Sequence, residues 1–238
     1  MAEEKFNNTG LADIGFFDPG QWDRKIPKQC LVDRDETILK LCREQSVLHL
    51  GAADYPFHKE AARHGELLHQ KIQRVTKNVV GIDQNREAVE YLKIHHAIDN
   101  IISGDTTFSI RDARLTGQFD IILCCDIIEH VENPGHLIEF CKSHMTERTT
   151  LVITTINASA IKVALRAVLG REAVHNDHVA YYSYSTLCQL LLRYQLYPAK
   201  VGYYCYGTKI KILGKVFGVL AAISPGTADG ILIVCNKA

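Results

Sequence analysis

The chain has 238 residues, of which 27 are basic and 27 acidic, so its formal net charge is zero. A chain of this length buries a full hydrophobic core without disulfides or structural metals. The balance of charge, with no run of lysines or arginines, argues against a polyanionic partner, and we expect no binding to nucleic acid.

The cysteines are scattered and form no CxxC motif, which is typical of buried, reduced thiols in a cytoplasmic protein. The first residues, MAEEKFNNTG, lack the basic and apolar regions of a signal peptide. The longest apolar stretch, residues 210–224, contains Lys211, Gly214 and Lys215 and falls short of the ~20 residues that a membrane span needs. We therefore expect a cytoplasmic protein without integral membrane association.

Short apolar runs alternate along the chain with segments of helical periodicity, a pattern typical of a parallel sheet covered by helices on both faces. Residues 1–30 are expected to form an irregular arm, and Asp35 is expected to cap the first helix. A second helix is predicted to begin near Pro56. The first five predicted strands are residues 46–50, 78–82, 100–102, 119–125 and 149–155.

The second part of the chain contains the last two predicted strands, at residues 199–206 and 230–234. The other predicted elements are helices at 158–169 and 186–195, a polar loop at 170–183 and a helical insert at about 209–222. The pattern predicts a single α/β domain over residues 1–238. Within it, residues 1–44 are expected to form the arm and first helix.

Small or acidic residues follow the first four predicted strands. Gly51 follows the first strand, Asp83 the second, Asp105 the third and Asp126 the fourth. Ligands of open α/β sheets bind beyond these carboxyl ends. A glycine lets the backbone approach a ligand, one aspartate can accept both hydroxyls of a ribose, and another can accept from an adenine amine. The set indicates an adenosine-containing ligand.

Phosphate-binding motifs are missing from the sequence. Neither the GxGxxG motif of dinucleotide-binding proteins nor the GxxxxGK[ST] motif of P-loop proteins is present. An adenosine ligand without a pyrophosphate site favours S-adenosylmethionine over NAD or ATP.

The chain resembles the class I S-adenosylmethionine-dependent methyltransferases over residues 45–236, most clearly over 45–157. The matching stretches are VLHLGAAD, VVGIDQN, IISGDTT, FDIILCCDIIEHVENP and LVITTIN. The resemblance implies an α/β fold with a seven-stranded, mostly parallel sheet of order 3-2-1-4-5-7-6 and helices on both faces, the Rossmann-like methyltransferase fold. It also implies S-adenosyl-L-methionine as methyl donor and S-adenosyl-L-homocysteine as product, with residues 45–157 as the cofactor-binding half and 158–238 as the acceptor-binding half.

By this resemblance, Asp83 holds the ribose, Asp105 the adenine amine, and Gly51 and Asp126 lie at the methionine end of the cofactor. The full set of expected cofactor-binding residues is Gly51, Ala52, Ala53, Asp83, Gln84, Asp105, Thr106, Asp126 and Ile127.

The first loop departs from the family pattern, which is an acidic residue followed by alternating glycines. At those positions this chain has His49, Gly51, Ala53 and Tyr55, so one of the four matches. An alanine costs little where φ is negative. His49 and Tyr55 are expected either to change the affinity for the cofactor or to mark a lost site.

Asp126, Glu129 and His130 have a spacing that places three side chains on one face of a helical turn. Two interpretations stay open: Glu129 and His130 brace the turn, or all three residues bind Mg²⁺ or Mn²⁺. The ubiquinone-pathway O-methyltransferases have a similar block and use a metal there, whereas other relatives with an EH pair need none. We do not favour the divalent metal.

The polar loop at 170–183 contains His175, Asp177, His178, Tyr181 and Tyr182 and follows the edge where this class builds its acceptor pocket. A histidine with a near-neutral pKa can take the proton of an attacking hydroxyl. We expect His178, or else His175, to be the catalytic base, with Asp177 orienting it; the alternative is that His178 is a buried strut. The HxDHxxxxS pattern also resembles bacterial methyltransferases of glycan and natural-product pathways.

Four residues are expected to bind the acceptor: Asn157, His130, Tyr181 and Tyr182. For Asn157, a helix-capping role is an equal alternative. The arm's aromatic residues Phe16, Phe17 and Trp22 are expected to dock the arm, with a lid over the site as the alternative.

The helical insert, with Lys209, Lys211 and Lys215 among apolar residues, has three open roles. The insert is expected to widen the acceptor pocket, to rest on a membrane surface or to form a homodimer contact.

These features predict O-methylation of a hydroxylated small molecule or sugar by direct SN2 displacement. One alternative is a non-catalytic, methyltransferase-like binding or scaffold protein, which the altered first loop keeps open. A second is a nucleotide-dependent oxidoreductase, which would need a phosphate-binding loop and usually a Tyr-x-x-x-Lys pair.

Overall fold

The computed structural model describes residues 30–105, 112–172, 174–206 and 211–237. The expectations for Phe16, Phe17, Trp22, Thr106 and Lys209 lie outside these residues, as do those for the side chains of Lys211 and Lys215. Within the described ranges, every helix is too short or too polar to cross a membrane.

The described strands form one sheet. They are β1 (Cys30–Leu31), β2 (Ser46–Leu50), β3 (Asn78–Asp83), β4 (Ile101–Ser103), β5 (Ile121–Cys125), β6 (Thr150–Ile156), β7 (Leu196–Tyr204) and β8 (Gly230–Lys237). Read from the β4 edge, their order is β4-β3-β2-β5-β6-β8-β7-β1. Without β1 this is the predicted order 3-2-1-4-5-7-6, which is confirmed. β8 runs antiparallel to its neighbours β6 and β7, which agrees with the expectation of a mostly parallel sheet.

The edge strand β1 was not predicted from the sequence. It pairs in parallel with β7, with Cys30 opposite Gly202 and Leu31 opposite Tyr203. Two residues are too few to show a strand periodicity, so this pairing is a tertiary effect. Because β7 runs parallel to β6, the chain leaves β1 at the same edge where β2, β3, β5 and β6 end.

Helices flank the sheet. They are α1 (Arg34–Cys42), α2 (His58–His64), α3 (Leu68–Gln73), α4 (Arg86–His96), α5 (Pro134–Ser143), α6 (Ile161–Val168), α7 (Tyr184–Arg193) and α8 (Lys211–Ile223). Two expectations are wrong in detail. Asp33, not Asp35, caps α1 by accepting from the Glu36 N–H at 2.9 Å. The helix predicted near Pro56 is two helices, since Gly65 adopts a φ of +69° and ends α2.

The central strands are buried because successive side chains point to opposite faces and meet different helices. On one face, Ile153 of β6 belongs to a core with Leu137 of α5 and Leu187 of α7. On the other, Val152 belongs to a core with Ile38 of α1. Helices on both faces of a mostly parallel sheet are therefore confirmed.

The cysteine side chains that the structure describes are free thiols. Cys205 is exposed, and the buried ones are Cys42, Cys124, Cys125, Cys141, Cys188 and Cys235. For these six, the predicted burial of reduced thiols is confirmed.

Candidate active site

The loop after β2 begins at Gly51, whose φ is +71°. A Cβ at this position would lie 2.8 Å from Cδ1 of Ile127, in the turn that follows β5. Residues with a side chain rarely adopt this φ, and the space for the side chain is already taken. The N–H groups of Gly51 and Ala52 donate to the carbonyl of Ile82 at 2.8 and 3.1 Å. The ends of β2, β3 and β5 thus meet at a glycine where strand order reverses.

Asp83 is the last residue of β3, and its side chain is largely buried. Its Oδ2 accepts from the Ala53 N–H at 2.9 Å and its Oδ1 from the Asn85 N–H at 2.8 Å. Burial raises the pKa of Asp83, against the effect of these two N–H groups. A carboxylate has about four acceptor positions, so both oxygens can accept further hydrogen bonds. Asp83 is not the cap of α4, because Asn85 caps it by accepting from Ala88.

His49 stands in β2 where the family has an acidic residue, and it is buried. Its Nδ1 lies 3.2 Å from Nδ1 of His69, and Nε2 of His69 lies 3.2 Å from Oδ1 of Asn100. Since that amide oxygen only accepts, Nε2 of His69 carries the hydrogen and Nδ1 of His69 accepts from His49. Burial lowers the pKa of both imidazoles, that of His69 to about 4. This neutral pair belongs to the packing of the domain, which gives His49 a structural role; its effect on cofactor binding stays a prediction.

Asp126 follows β5 and ties together three parts of the chain. Its Oδ2 accepts from Nη2 of Arg34 at 2.7 Å. Its Oδ1 accepts from the Thr154 hydroxyl at 2.9 Å and from the Tyr204 hydroxyl at 3.0 Å. Arg34 reaches this edge because it follows β1. Arg34 could not be predicted from the sequence, since its partner is 92 positions away and no local pattern marks it.

The residues at this edge fit the predicted cofactor. Burial raises the pKa of Asp54, and the charge of Arg34 lowers it. The carboxylates of Asp126 and Asp83 also raise this pKa, so Asp54 belongs to a group of neighbouring carboxylates. S-adenosylmethionine carries a sulfonium and an ammonium group, whose positive charges such a group of carboxylates stabilises. Gly51 leaves the backbone open to approach, and Asp83 keeps acceptor capacity for hydroxyls.

The other expected cofactor residues lie at or near the same edge. Asp105 is half-buried and comes two residues after β4, while Gln84 is exposed after β3. Ala52 and Ala53 are buried in the loop after β2. The structure therefore brings the described candidates to the carboxyl ends of adjacent strands. Their contacts with a cofactor stay predictions.

Glu129 is buried and joins the turn after β5 to the polar loop. Its carboxylate accepts from the Thr155 hydroxyl at 2.8 Å. Its backbone carbonyl accepts from the N–H groups of Val179 and Ala180 at 2.8 and 3.2 Å. Burial, followed by the charge of Asp126, raises the pKa of Glu129 to about 7. These contacts favour the bracing interpretation for Glu129.

His130, His175 and His178 form what we term the three-histidine cluster. The ring centroids of His130 and His178 are 4.5 Å apart, those of His175 and His178 5.4 Å, and those of His130 and His175 5.9 Å. Burial lowers the pKa of His130, against the effect of the Asp177 backbone, which raises it. Burial and the two neighbouring imidazoles lower the pKa of His178, which favours its neutral form. The structure thus brings His130, which is expected to bind the acceptor, next to His178, the expected base.

Within the described residues, the three-histidine cluster is the group of side chains whose candidate metal-ligand atoms converge. The carboxylate of Asp126 instead binds Arg34, and that of Glu129 binds Thr155. The ligand set considered from the sequence, Asp126 and Glu129 with His130, is therefore not drawn together in this structure.

The expected acceptor-binding residues differ in their surroundings. Tyr181 lies beside His178, with ring centroids 6.3 Å apart. Tyr182 is buried within the hydrophobic core. The amide of Asn157 donates to the carbonyls of Gly226 and Ala228, each at 2.8 Å, so both of its hydrogens already have partners. Acceptor binding by these residues stays a prediction, and the structure favours Tyr181 over the other two.

A family model described as a methyltransferase domain matches residues 22–201. Together with the strand order and the glycine-and-carboxylate edge, this defines the class as a Rossmann-like methyltransferase. The chain belongs to the methyltransferase-domain family, and the resemblance stated from the sequence is confirmed.

Among curated proteins, the chain is similar to ubiquinone biosynthesis O-methyltransferases. The mitochondrial protein of Saccharomyces cerevisiae is 32% identical over 143 residues, which are 58% of this chain and 42% of the relative. The Ralstonia nicotianae protein is 29% identical over 114 residues, which are 47% and 48% of the two chains. The chain therefore spans about half the length of the curated relatives it matches.

Solved structures share the fold at low identity. The N-methyltransferase NodS from Bradyrhizobium japonicum, in complex with S-adenosyl-L-homocysteine, has a TM-score of 0.53 at 15% identity and covers 86% of this chain and 85% of its own. Magnesium protoporphyrin IX methyltransferase from Synechocystis, also with bound S-adenosylhomocysteine, has a TM-score of 0.54 at 12% identity and covers 86% and 82%. These likenesses concern the fold.

Proposed function

We propose that this chain is an S-adenosylmethionine-dependent methyltransferase that acts on an oxygen of a hydroxylated small molecule or sugar. The observation that carries the proposal is the position of the three-histidine cluster beside the cofactor edge. His130 lies in the turn after β5, and Val179 and Ala180 of the polar loop donate to the carbonyl of Glu129 in the same turn, so the cluster borders the end of β5. Methylation of oxygen needs a methyl donor and a group that removes a proton. This edge has candidates for both.

The cofactor edge supplies binding and orientation. S-adenosylmethionine, when bound, supplies an electrophilic methyl group on its sulfonium. Asp83 is assigned to the ribose hydroxyls, because both of its oxygens keep acceptor capacity. Asp105 is assigned to the adenine amine. Gly51 lets the backbone approach the ligand, and Asp126 faces its cationic end.

The three-histidine cluster supplies the acceptor side. His178 lies between the rings of His130 and Tyr181, at centroid distances of 4.5 and 6.3 Å. Its lowered pKa leaves a ring lone pair available to the proton of an acceptor hydroxyl near neutral pH. We assign His178 as the base and His175 as the second candidate. The names of the curated relatives, which are O-methyltransferases, support oxygen as the target.

Calorimetric titration tests the cofactor assignment. The wild-type protein is expected to bind S-adenosylmethionine and S-adenosylhomocysteine with micromolar affinity, on the order of −8 kcal/mol, and not to bind NAD. Asp83→Asn should weaken binding at least about tenfold, whereas Asp99→Asn, an exposed aspartate after α4, should leave it unchanged. Binding of neither ligand would favour the scaffold alternative, and binding of NAD alone the oxidoreductase.

Turnover with methyl-labelled S-adenosylmethionine and a panel of phenols, catechols, sugars and amines tests the acceptor class. His178→Ala should lower kcat by about 100-fold or more while leaving cofactor affinity unchanged. His136→Ala removes an exposed imidazole on α5 and is the matched control. Turnover by His178→Ala at the wild-type rate contradicts the assignment of the base, and labelling of amines alone contradicts oxygen as the target.

A further inference from the structure

We infer that His130, His175 and His178 form a binding site for one divalent cation of the zinc type, with a coordination position left for the acceptor's hydroxyl. One candidate ligand atom from each residue lies within 4.8 Å of those of the other two. Three imidazoles with one open position are the ligand set of catalytic zinc sites, where Zn–N distances are about 2.0–2.1 Å. Small side-chain rotations bring nitrogens at this separation onto one ion.

The position of His130 supports this assignment. Its backbone N–H donates to the carbonyl of Ile127 at 2.8 Å, which fixes the turn after β5. Its ring centroid lies 4.5 Å from that of His178 and 5.9 Å from that of His175. The turn therefore holds His130 against both other candidate ligands.

An unpartnered nitrogen in the cluster supports it independently. Nδ1 of His178 is buried and has no hydrogen-bond partner among the described residues. A buried polar atom without a partner costs free energy, so native structures rarely keep one without a reason. An ion at the cluster, or the hydroxyl bound to it, gives this ring a partner.

Backbone hydrogen bonds fix the segments that carry the three histidines. Val179 and Ala180 donate to the carbonyl of Glu129, which fixes the polar loop against the turn that carries His130. The N–H of His178 donates to the carbonyl of His175 at 3.0 Å, which brings these two residues to one side of the loop. The side chain of His175 is 46% exposed, so the cluster opens to solvent and an acceptor can reach it.

The chemistry of the ligands selects the metal. Imidazole nitrogen suits zinc, cobalt, nickel and copper, whereas magnesium and calcium prefer oxygen ligands. The nearby carboxylates of Asp126 and Glu129 are bonded to Arg34 and Thr155. An all-nitrogen set therefore favours zinc over the magnesium or manganese considered from the sequence.

The role of the ion rests on the proposed function, whereas its binding does not. An acceptor hydroxyl at the open position has a lowered pKa. Its O–H bond breaks, the electron pair stays on the oxygen and the proton passes to water. The imidazoles that hold the ion then orient the acceptor, and His178 takes the proton itself when no ion is bound.

Titration of untagged, chelator-treated protein with CoCl₂ tests the site, because four-coordinate cobalt absorbs strongly in the visible range. One equivalent of Co²⁺ should give these bands, and ZnCl₂ should abolish them by displacement. His130→Ala, His175→Ala and His178→Ala should each weaken Co²⁺ binding at least about tenfold. His136→Ala and Glu129→Gln should leave it unchanged.

X-ray absorption at the zinc edge of the wild-type protein gives a test that does not depend on folding of any variant. About three imidazole ligands near 2.0 Å are expected. No stoichiometric binding, carboxylate-dominated ligation, or binding that survives the histidine changes but not Glu129→Gln would overturn the inference. Methyl transfer by metal-free protein at the full rate overturns the role of the ion and leaves the proposed function standing. Metal binding without methyl transfer overturns the proposed function and the role of the ion, and it leaves the metal site standing.

Discussion

Nη2 of Arg34 donates to Oδ2 of Asp126 at 2.7 Å and joins the start of α1 to the residue that follows β5. Asp126 has a φ of +53°, a left-handed conformation that residues with a side chain seldom adopt. Its carboxylate also accepts from the hydroxyls of Thr154 and Tyr204. These three donors hold a strained residue in place where strand order reverses.

Arg34→Met should destabilise the protein, because it leaves the Asp126 carboxylate partly buried with two neutral donors. We expect a loss of about 1–3 kcal/mol in the free energy of unfolding, measured by urea denaturation, and weaker cofactor binding. Arg63→Met is the matched control, since its ion pair with Glu60 has side chains that are 67% and 69% exposed. That change should cost less than about 0.5 kcal/mol. Equal losses in the two variants would show that the Asp126 contact adds nothing.

Gly51→Ala should weaken S-adenosylmethionine binding at least about tenfold in calorimetry, because the loop must move. The new methyl group meets the side chain of Ile127 and the backbone keeps a strained φ of +71°. Gly170→Ala is the control for backbone strain without a steric clash, since Gly170 has a φ of +64° and no heavy atom lies within 4 Å of the new Cβ. It should lower stability without lowering affinity. Adding Ile127→Val to Gly51→Ala should restore part of the affinity; no recovery would point to backbone strain alone.

The His49–His69 pair should make the protein sensitive to acid. Burial lowers the pKa of His69 from 6.5 to about 4. Between these two pH values the imidazole is protonated in the unfolded chain but not in the folded chain. The contribution of the neutral imidazole to the free energy of unfolding is complete above pH 6.5. It is lost as the pH falls towards 4, by up to about 3 kcal/mol for His69.

Urea denaturation between pH 7.5 and 4.5 measures this dependence. His69→Gln should be less stable than wild type at pH 7.5 but should lose less stability on acidification, because one of the two buried imidazoles is gone. His64→Gln is the control, since its imidazole is 60% exposed beside Glu60. A His69→Gln variant with the wild-type pH slope would contradict the neutral pair.

The sheet was predictable from the sequence because its strands are short apolar runs with aspartates or glycine at their ends. Parallel strands end at one edge, so Gly51, Asp83 and Asp126 had to lie close together once the strand order was known. Local periodicity is sufficient for such conclusions. It failed for β1, whose two residues form a strand only because β7 offers an open edge.

The site was predicted in parts, because its contacts join residues that are far apart in the sequence. The sequence predicts that His130 and His178 both serve the acceptor, but not that their rings meet, because this depends on the bonds from Val179 and Ala180 to Glu129. His49 departs from the family loop, and its partner in the structure is His69, 20 positions later on another element, which no spacing rule marks.

Gly230→Ala should disturb the surroundings of Asp126 through Tyr204, which lies opposite Gly230 at the start of β8. The Cβ of an alanine at this position would overlap the ring of Tyr204, whose hydroxyl donates to Asp126 at 3.0 Å. Displacing the ring costs about 1–3 kcal/mol of stability and breaks that hydrogen bond. Gly117→Ala, with a φ of −74° and no heavy atom near the new Cβ, should be neutral or slightly stabilising.

Tyr204→Phe shows whether the hydroxyl is the part that matters. Alone, it removes the donor to Asp126 and should cost about 1 kcal/mol. In Gly230→Ala the hydroxyl has already moved, so adding Tyr204→Phe should cost clearly less than it does in the wild-type background. Additive losses in thermal or urea unfolding would mean that the ring tolerates the methyl group without leaving Asp126. Non-additive losses would show that Gly230 acts on Asp126 at the end of β5 through the Tyr204 hydroxyl.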